Sequence, residues 1–236
     1  MDKEVIQKLL NINRVFYDQF ANEFSETRYH PQPGFAQLSA FLPRPCQSLL
    51  DVGCGNGRLG RFLAGEGVIQ RYTGIDSSST LLEIARNFVP GEFWQRELSD
   101  SGSLSGLGHF DAVCCLAVLQ HIPGKLNRER LLREFVEHLD LGGVIILSTW
   151  QFPDSERQLR KVVDWSNASL GREDVESNDY LMTWGTNADA LRYVSHIDSD
   201  AVNSLADSAG LDVVAQFRSD GREGDLNLYS VLSRRY

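Results

Sequence analysis

"LLDVGCGNGRLGRFL", residues 49–63, decides how the chain is read. The first half is an apolar run interrupted near its end by Asp51, and the second holds GNGRLG, a literal G-x-G-x-x-G built on Gly55, Gly57 and Gly60. A buried strand, a glycine turn and a helix in that succession form the ligand-facing corner of a doubly wound α/β sheet, where binding takes place beyond the carboxyl ends of the strands. The glycines alone do not choose the ligand. Asp51 does, because a carboxylate at a strand tip repels a pyrophosphate and attracts an ammonium or a sulfonium.

S-adenosylmethionine carries both of those cations and one carboxylate, so Asp51 beside Gly53, Cys54, Gly55, Asn56 and Gly57 favours it over a dinucleotide. Asp76 closes the next apolar run, 19 residues beyond Gly57, where a carboxylate accepts both hydroxyls of a ribose. That position also suits the start of a helix, and the two roles are compatible. Ser77 follows it, and Glu97 and Leu98, after a third and weaker strand, are placed to flank an adenine, with Asp100 as the substitute if that strand ends later.

Working outward, the spacing of Val5, Leu9, Ile12, Phe16 and Phe20 predicts a helix over 5–24. "FAQLSAFL" predicts a short helix after Pro31 and Pro33. Strands are expected at 48–52, 72–75, 93–97, 109–119 and 139–150, with helices at 58–63, 77–88 and 128–139 between them. From Gln151 to about Ala190 the chain turns polar and acidic with one helical stretch at 156–165, an insertion lying over the strand ends. "SDAVNSLADSAG" predicts a capped helix closed by Gly210, and "LDVVAQF" and "LNLYSVLS" a terminal pair that a short turn forces to be antiparallel. The expectation is one domain over 1–236. It divides into a helical cap at 1–45, a cofactor-binding core at 46–150, a lid insertion at 151–190, and a helix and hairpin at 191–236.

Composition narrows the class. The apolar share of 42% and the charged share of 23% are those of a globular chain, and 236 residues bury one sizeable core. The longest apolar run, Ala112–Leu119, is far too short to span a bilayer, and MDKEVIQKLL lacks the basic segment of a signal peptide, so no membrane partner and a cytoplasmic location are expected. Cys46, Cys54, Cys114 and Cys115 show no metal-ligand spacing, so reduced thiols and no metal site are expected. The net charge is -9 and uneven, with 14 basic and 17 acidic residues up to position 150 and 9 against 15 beyond it. Such a chain is a poor stand-alone binder of nucleic acid.

The series DVGCGNG, GIDSS, FDAVCCLAVLQHI and LGGVIILSTW resembles class I S-adenosylmethionine-dependent methyltransferases over about residues 46–150. The resemblance implies a Rossmann-like, seven-stranded, mostly parallel sheet ending in an antiparallel hairpin, with S-adenosyl-L-homocysteine as the product left by the cofactor. In the flanks, "FYDQFANEFSETRYHPQP", "LRYVSHI" and "SDGREGDLNLYSV" resemble the tRNA wobble-uridine carboxymethyl methyltransferases, which esterify the carboxylate of 5-carboxymethyluridine in a tRNA anticodon loop. That family usually works with a small zinc-binding activator subunit.

Carried onto this sequence, the resemblance places Tyr17 and Arg28 at the methionine end of the cofactor and counts Leu116 among its binding residues. Tyr29, Gln120, His196 and Arg222 fall on the substrate side, and Arg28, His121 and Arg192 carry the chemistry. The chemistry suits those residue types, since a carboxylate is ionised at neutral pH and needs an arginine fork to orient it more than a base to activate it. The acidic carboxyl-terminal third leaves a small carboxylate or hydroxyl metabolite as the alternative acceptor, and a cofactor-binding module without catalysis as a third reading. Trp165, Tyr180 and Trp184 either stack on a planar substrate or form the lid's own core.

Overall fold

A computed structural model describes residues 1–184 and 187–235, without the side chains of 187–189. The strands are β1 (Cys46–Val52), β2 (Ile69–Asp76), β3 (Glu92–Gln95), β4 (Phe110–Leu116), β5 (Leu139–Trp150), β6 (Val162–Val163), β7 (Asp179–Trp184), β8 (Asn187–Ser195), β9 (Leu211–Ser219) and β10 (Asn227–Arg234). The helices are α1 (Lys3–Glu26), α2 (Pro33–Ser39), α3 (Arg58–Gly65), α4 (Ser79–Phe88), α5 (Lys125–Glu137), α6 (Glu156–Leu159) and α7 (Ser199–Ser208). Seven strands form one sheet in the order β3-β2-β1-β4-β5-β10-β9. The first five run parallel, and β10 is antiparallel to both β5 and β9, giving the expected terminal hairpin.

Apolar pattern explains the layers. β1 buries every residue except Gln47, and β4 is buried from Ala112 to Cys115, as strands covered on both faces must be. One core packs Leu50, Val113, Ile145 and Leu147 against α5 and α7. The other packs Leu49, Ala112, Cys114 and Ile146 against α2 and α3. The helix starts are fixed by side chains: Asp2 accepts from Glu4 N at 3.1 Å, Ser78 from Leu81 N at 3.3 Å and Asp198 from Ala201 N at 2.8 Å. Gly210, with φ +69°, follows α7 as predicted.

The third glycine of GNGRLG has a packing role. A Cβ on Gly60 would lie 2.5 Å from the Tyr72 ring, so its absence lets β2 pack tightly under α3. Gly57 likewise faces Ala85 and Val89 around the end of α4, not the ligand side.

Beyond β5 the sequence reading needs correction. The helix expected over 156–165 is only Glu156–Leu159, because the β-branched pair Val162 and Val163 forms an edge strand and Asp164 then caps a short 3-10 turn. A three-stranded antiparallel sheet, β6-β7-β8, follows and runs to Ser195, so "LRYVS" belongs to it and the insertion does not stop at 190. Residues 185 and 186 of that insertion lie outside the described residues. Among the described residues no helix is long and apolar enough to cross a membrane.

Candidate functional site

A cavity of about 260 Å³ opens over the carboxyl ends of β1, β2, β4 and β5 and under α1. The glycine loop forms its floor. Gly53 and Gly55 have φ of +72° and +54°, conformations that glycine adopts without strain. A Cβ on Gly53 would collide with Val118 at 2.3 Å, whereas one on Gly55 would meet nothing within 4 Å. Gly55 thus leaves bare backbone facing open space, a cradle that a larger residue would fill.

Two carboxylates organise that floor. Asp76 accepts hydrogen bonds from Gly55 N at 2.8 Å and Ser78 N at 2.9 Å, so it ties the glycine loop to the start of α4 while lining the cavity. Asp51 accepts from the Tyr72 hydroxyl at 2.6 Å. Burial raises the Asp51 carboxyl to about 7, against the pull of the Tyr72 hydrogen bond. Its charge near neutral pH therefore depends on what enters the cavity, a refinement of the simple anion expected from sequence. Tyr72 was missed because nothing in the sequence links a strand residue to an acid 21 positions earlier.

The roof is α1, bent at Phe20, whose φ of -115° and ψ of 18° depart from the helix. Leu10, Asn13, Arg14, Tyr17, Phe24 and Arg28 face the cavity from α1 and the turn after it. Asn13 anchors the first half: its amide accepts from Tyr193 N at 2.8 Å and donates to the carbonyls of Tyr193 at 3.2 Å and His121 at 3.3 Å. Asn56 holds the second half to the glycine loop, donating to the Ser25 hydroxyl at 3.0 Å. A buried asparagine on an apolar helix face was the available signal for Asn13, and the sequence reading passed over it.

Tyr17 and His121 meet across the cavity wall. Nδ1 of His121 lies 2.9 Å from the Tyr193 carbonyl and Nε2 lies 3.3 Å from the Tyr17 hydroxyl. A carbonyl only accepts, so Nδ1 carries the proton and Nε2 accepts from Tyr17. Burial pulls the imidazole down to about 4, the Tyr193 carbonyl opposes this, and Arg192 and Arg28 add to the depression. The ring is neutral. Tyr17 is pushed up by burial, with Arg192 and Arg28 pulling the other way.

Charge is divided across the cavity. Asp51, Asp76 and Glu97 line the side of β1, β2 and the segment after β3. Arg14, Arg28 and Arg58 line the side of α1, the turn after it and the start of α3, and among the described residues none of the three has an acidic partner. Burial draws Arg28 down to about 10. Burial also lowers Arg58, against the attraction of Tyr229 and Asp220.

The other residues singled out in the sequence separate into three groups. Ser77, Cys54, Asn56, Leu98 and Leu116 line the cavity with those already named, whereas Gly57 does not. Arg192 and Gln120 are buried behind its wall. The Arg192 guanidinium lies 4.8 Å from the Phe16 ring and 5.1 Å from the Trp150 ring, and Gln120 Oε1 accepts from Trp150 N at 3.1 Å. Tyr29, His196 and Arg222 lie elsewhere: Tyr29 is 57% exposed beneath Arg61, His196 borders a second hollow with Lys125 and Arg128, and Arg222 stands exposed in the β9–β10 turn. Family resemblance placed them by chain order, and the extension of β8 carried His196 away. Trp165 packs in the small sheet's core and Trp184 on Phe16 and Phe20, so both serve local packing. Tyr180 packs edge-on to Phe152 at 5.1 Å. Among the described residues no cluster of side chains has the makings of a metal site.

The model of a methyltransferase domain family matches residues 15–216. The chain belongs to that family. A protein of Encephalitozoon cuniculi named as a methyltransferase is 30% identical over 225 residues, 93% of each chain. A tRNA (carboxymethyluridine(34)-5-O)-methyltransferase of Xenopus tropicalis is 30% identical over 64% of this chain, which spans only 22% of that relative. A ubiquinone biosynthesis O-methyltransferase of Nitrosospira multiformis is 26% identical over 90% of this chain and 87% of its own. Among solved structures, a SAM-dependent methyltransferase of Methanosarcina mazei superposes with a TM-score of 0.66 at 19% identity, over 84% of this chain and 97% of that one. This methyltransferase uses S-adenosylmethionine as its cofactor. The cavity fits it: Gly55 leaves room for close approach, the acids suit a ribose and two cations, and an arginine suits the carboxylate.

Proposed function

We propose that this methyltransferase esterifies a carboxylate, and that its acceptor is a 5-carboxymethyluridine of the tRNA wobble position. The observation that carries the reading is the set of three guanidinium groups, Arg14, Arg28 and Arg58, facing the cavity without acidic partners among the described residues. Arg14 is exposed and keeps its water, but Arg28 and Arg58 are half-buried, a costly place for an uncompensated cation, and the cofactor's single carboxylate answers only one of the two. A second anion on the acceptor answers another.

When bound, the cofactor supplies an electrophilic methyl group. A carboxylate takes it without losing a proton, so no base is required, in keeping with a neutral His121 whose Nε2 is already engaged by Tyr17. Asp51 and Asp76 hold the cofactor's ammonium and ribose in this reading. Glu97 and Leu98 flank its adenine, and Arg28 takes its carboxylate. Arg58 then orients the acceptor, and α1 excludes water. Arg192, behind the wall, acts through Tyr17 and His121. The chain's charge of -9 disfavours RNA binding by itself, and a small zinc-binding subunit supplying the basic surface completes the proposal. A cytoplasmic location goes with it.

The Tyr17–His121 pair favours a second reading, a hydroxyl acceptor whose proton passes through Tyr17 to Nε2 of the imidazole. The test is mass spectrometry of tRNA nucleosides after incubation with labelled cofactor, with and without the partner subunit. A methyl released from 5-carboxymethyluridine by mild base is an ester and supports the proposal; a base-stable methyl on a phenol or alcohol, with none on the acid, overturns it.

A further inference from the structure

We infer that Asn227 is a specificity-determining residue, whose side-chain carbonyl receives an N–H of the methyl acceptor. The inference rests on the carboxylate reading above and adds to it what else the acceptor must carry. Asn227 opens β10, lines the cavity and is 1% exposed. Its amide cannot turn round. Nδ2 donates to Asp220 Oδ2 at 2.8 Å, and Asp220 also accepts from the Tyr229 hydroxyl at 2.6 Å and from Gly34 N at 2.8 Å. A carboxylate surrounded by three donors takes only the NH₂ edge of the amide. Oδ1 is thereby held away from Asp220, and among the described residues it has no hydrogen-bond partner.

A buried carbonyl left unpaired forgoes the hydrogen bond it had in water, so a ligand that brings a donor to it gains what a ligand without one forgoes. The cofactor is the wrong source. Asp51 on β1 and Asn227 on β10 are three strand spacings of ~4.8 Å apart across the sheet, and the register sets Asn227 four residues further along, so they stand more than about 14 Å apart, too far for the methionine ammonium held at Asp51 to reach both. The acceptor side is the right one. Asn227 pairs in register with Trp150, which lines the cavity 5.7 Å from the His121 ring. Arg58 lines the same cavity, and Asp220, which holds the Asn227 amide, attracts its charge. A guanidinium and an unpaired carbonyl lining one cavity suit a carboxylate borne on a ring that carries an N–H. They discriminate against an acid without a donor.

The experiment uses the full chain saturated with S-adenosylhomocysteine and two acids titrated calorimetrically: 1-methyl-5-carboxymethyluracil, with one N–H, and its 1,3-dimethyl counterpart, with none. The wild type should bind the first at least ten-fold more tightly. In Asn227→Ala the two affinities should converge, and in Arg58→Met both acids should weaken together. Equal binding of the two acids by the wild type, or a preference that survives in Asn227→Ala, overturns the inference and leaves the carboxylate reading standing. If neither acid binds a protein that binds S-adenosylhomocysteine, the carboxylate reading falls and takes this one with it. The wild-type comparison stands even if Asn227→Ala fails to fold.

Discussion

The Tyr17 hydroxyl donates to Nε2 of His121 at 3.3 Å, joining the roof helix to the loop after β4 across the cavity wall. Tyr17→Phe removes that donor and keeps the ring packed on Phe16 and Phe24. Turnover should fall by about ten-fold while S-adenosylhomocysteine affinity changes less than three-fold, if the pair stands beside the acceptor as proposed. Steady-state kinetics beside calorimetry check this; a loss of cofactor affinity equal to the loss of rate would place Tyr17 in cofactor binding alone.

Asp51 and His121 should oppose one another in the pH dependence of stability. Asp51 moves from its ordinary 3.8 up to about 7 on burial, so the folded protein binds the extra proton and this stabilisation is lost as pH rises from 3.8 through 7. His121 moves from 6.5 down to about 4, so its contribution is present above 6.5 and lost as pH falls toward 4. Relative to wild type, Asp51→Asn should become steeply more stable as pH rises from 4.5 to 6.5. His121→Gln should tilt the other way, each by up to about 1.4 kcal/mol per pH unit. Urea unfolding midpoints at three pH values decide it.

The same carboxyl should make cofactor binding pH-dependent. Between pH 6 and 8 Asp51 ionises, and the affinity for S-adenosylmethionine should rise as its cations meet a carboxylate instead of an acid. Asp51→Asn should bind at least ten-fold more weakly at pH 8 and show a flat profile. A flat profile in the wild type would mean that Asp51 does not face the cofactor's cations.

Gly53 and Gly55 should respond differently to alanine although both have positive φ. Gly53→Ala drives a methyl into Val118 and should cost roughly 1–3 kcal/mol of stability. Gly55→Ala meets open space, so its stability cost should be only the backbone strain of about 1–2 kcal/mol, while cofactor affinity drops sharply because the methyl occupies the cradle. Thermal melts paired with calorimetry separate the two effects.

Arg192 should tolerate loss of charge better than Arg28. Its Nε and Nη1 are buried between Phe16 and Trp150 without partners among the described residues. A buried guanidinium without an acidic partner bears its desolvation cost uncompensated, and an apolar chain of similar length does not. Arg192→Met should therefore melt no lower than wild type, and its His121 should titrate higher once the nearby cation is gone. Arg28→Met, at the cavity surface, should lose more turnover than Arg192→Met. Kinetics of the two variants and the ring resonances of His121 report on it.

The sequence by itself determined the sheet, the glycine corner and the acids beneath it. Those depend on local pattern: apolar runs long enough for buried strands, glycines where φ must be positive, and Asp51 and Asp76 at strand tips fixed by chain order. Tyr17, Arg28 and His121, singled out through the family resemblance, line the cavity where α1 and the loop after β4 meet. Only the tertiary structure decided which polar groups face the ligand and which are turned away from it. Tyr72 on Asp51, Asn13 on Tyr193 and Asp220 on Asn227 join residues 21, 180 and 7 positions apart, pairings that depend on packing between elements. Arg192 lies behind Trp150 for the same reason. Sequence shows that a side chain is charged, but the neighbours that bury it, pair it or leave it open are assembled only when the sheets and helices close on one another.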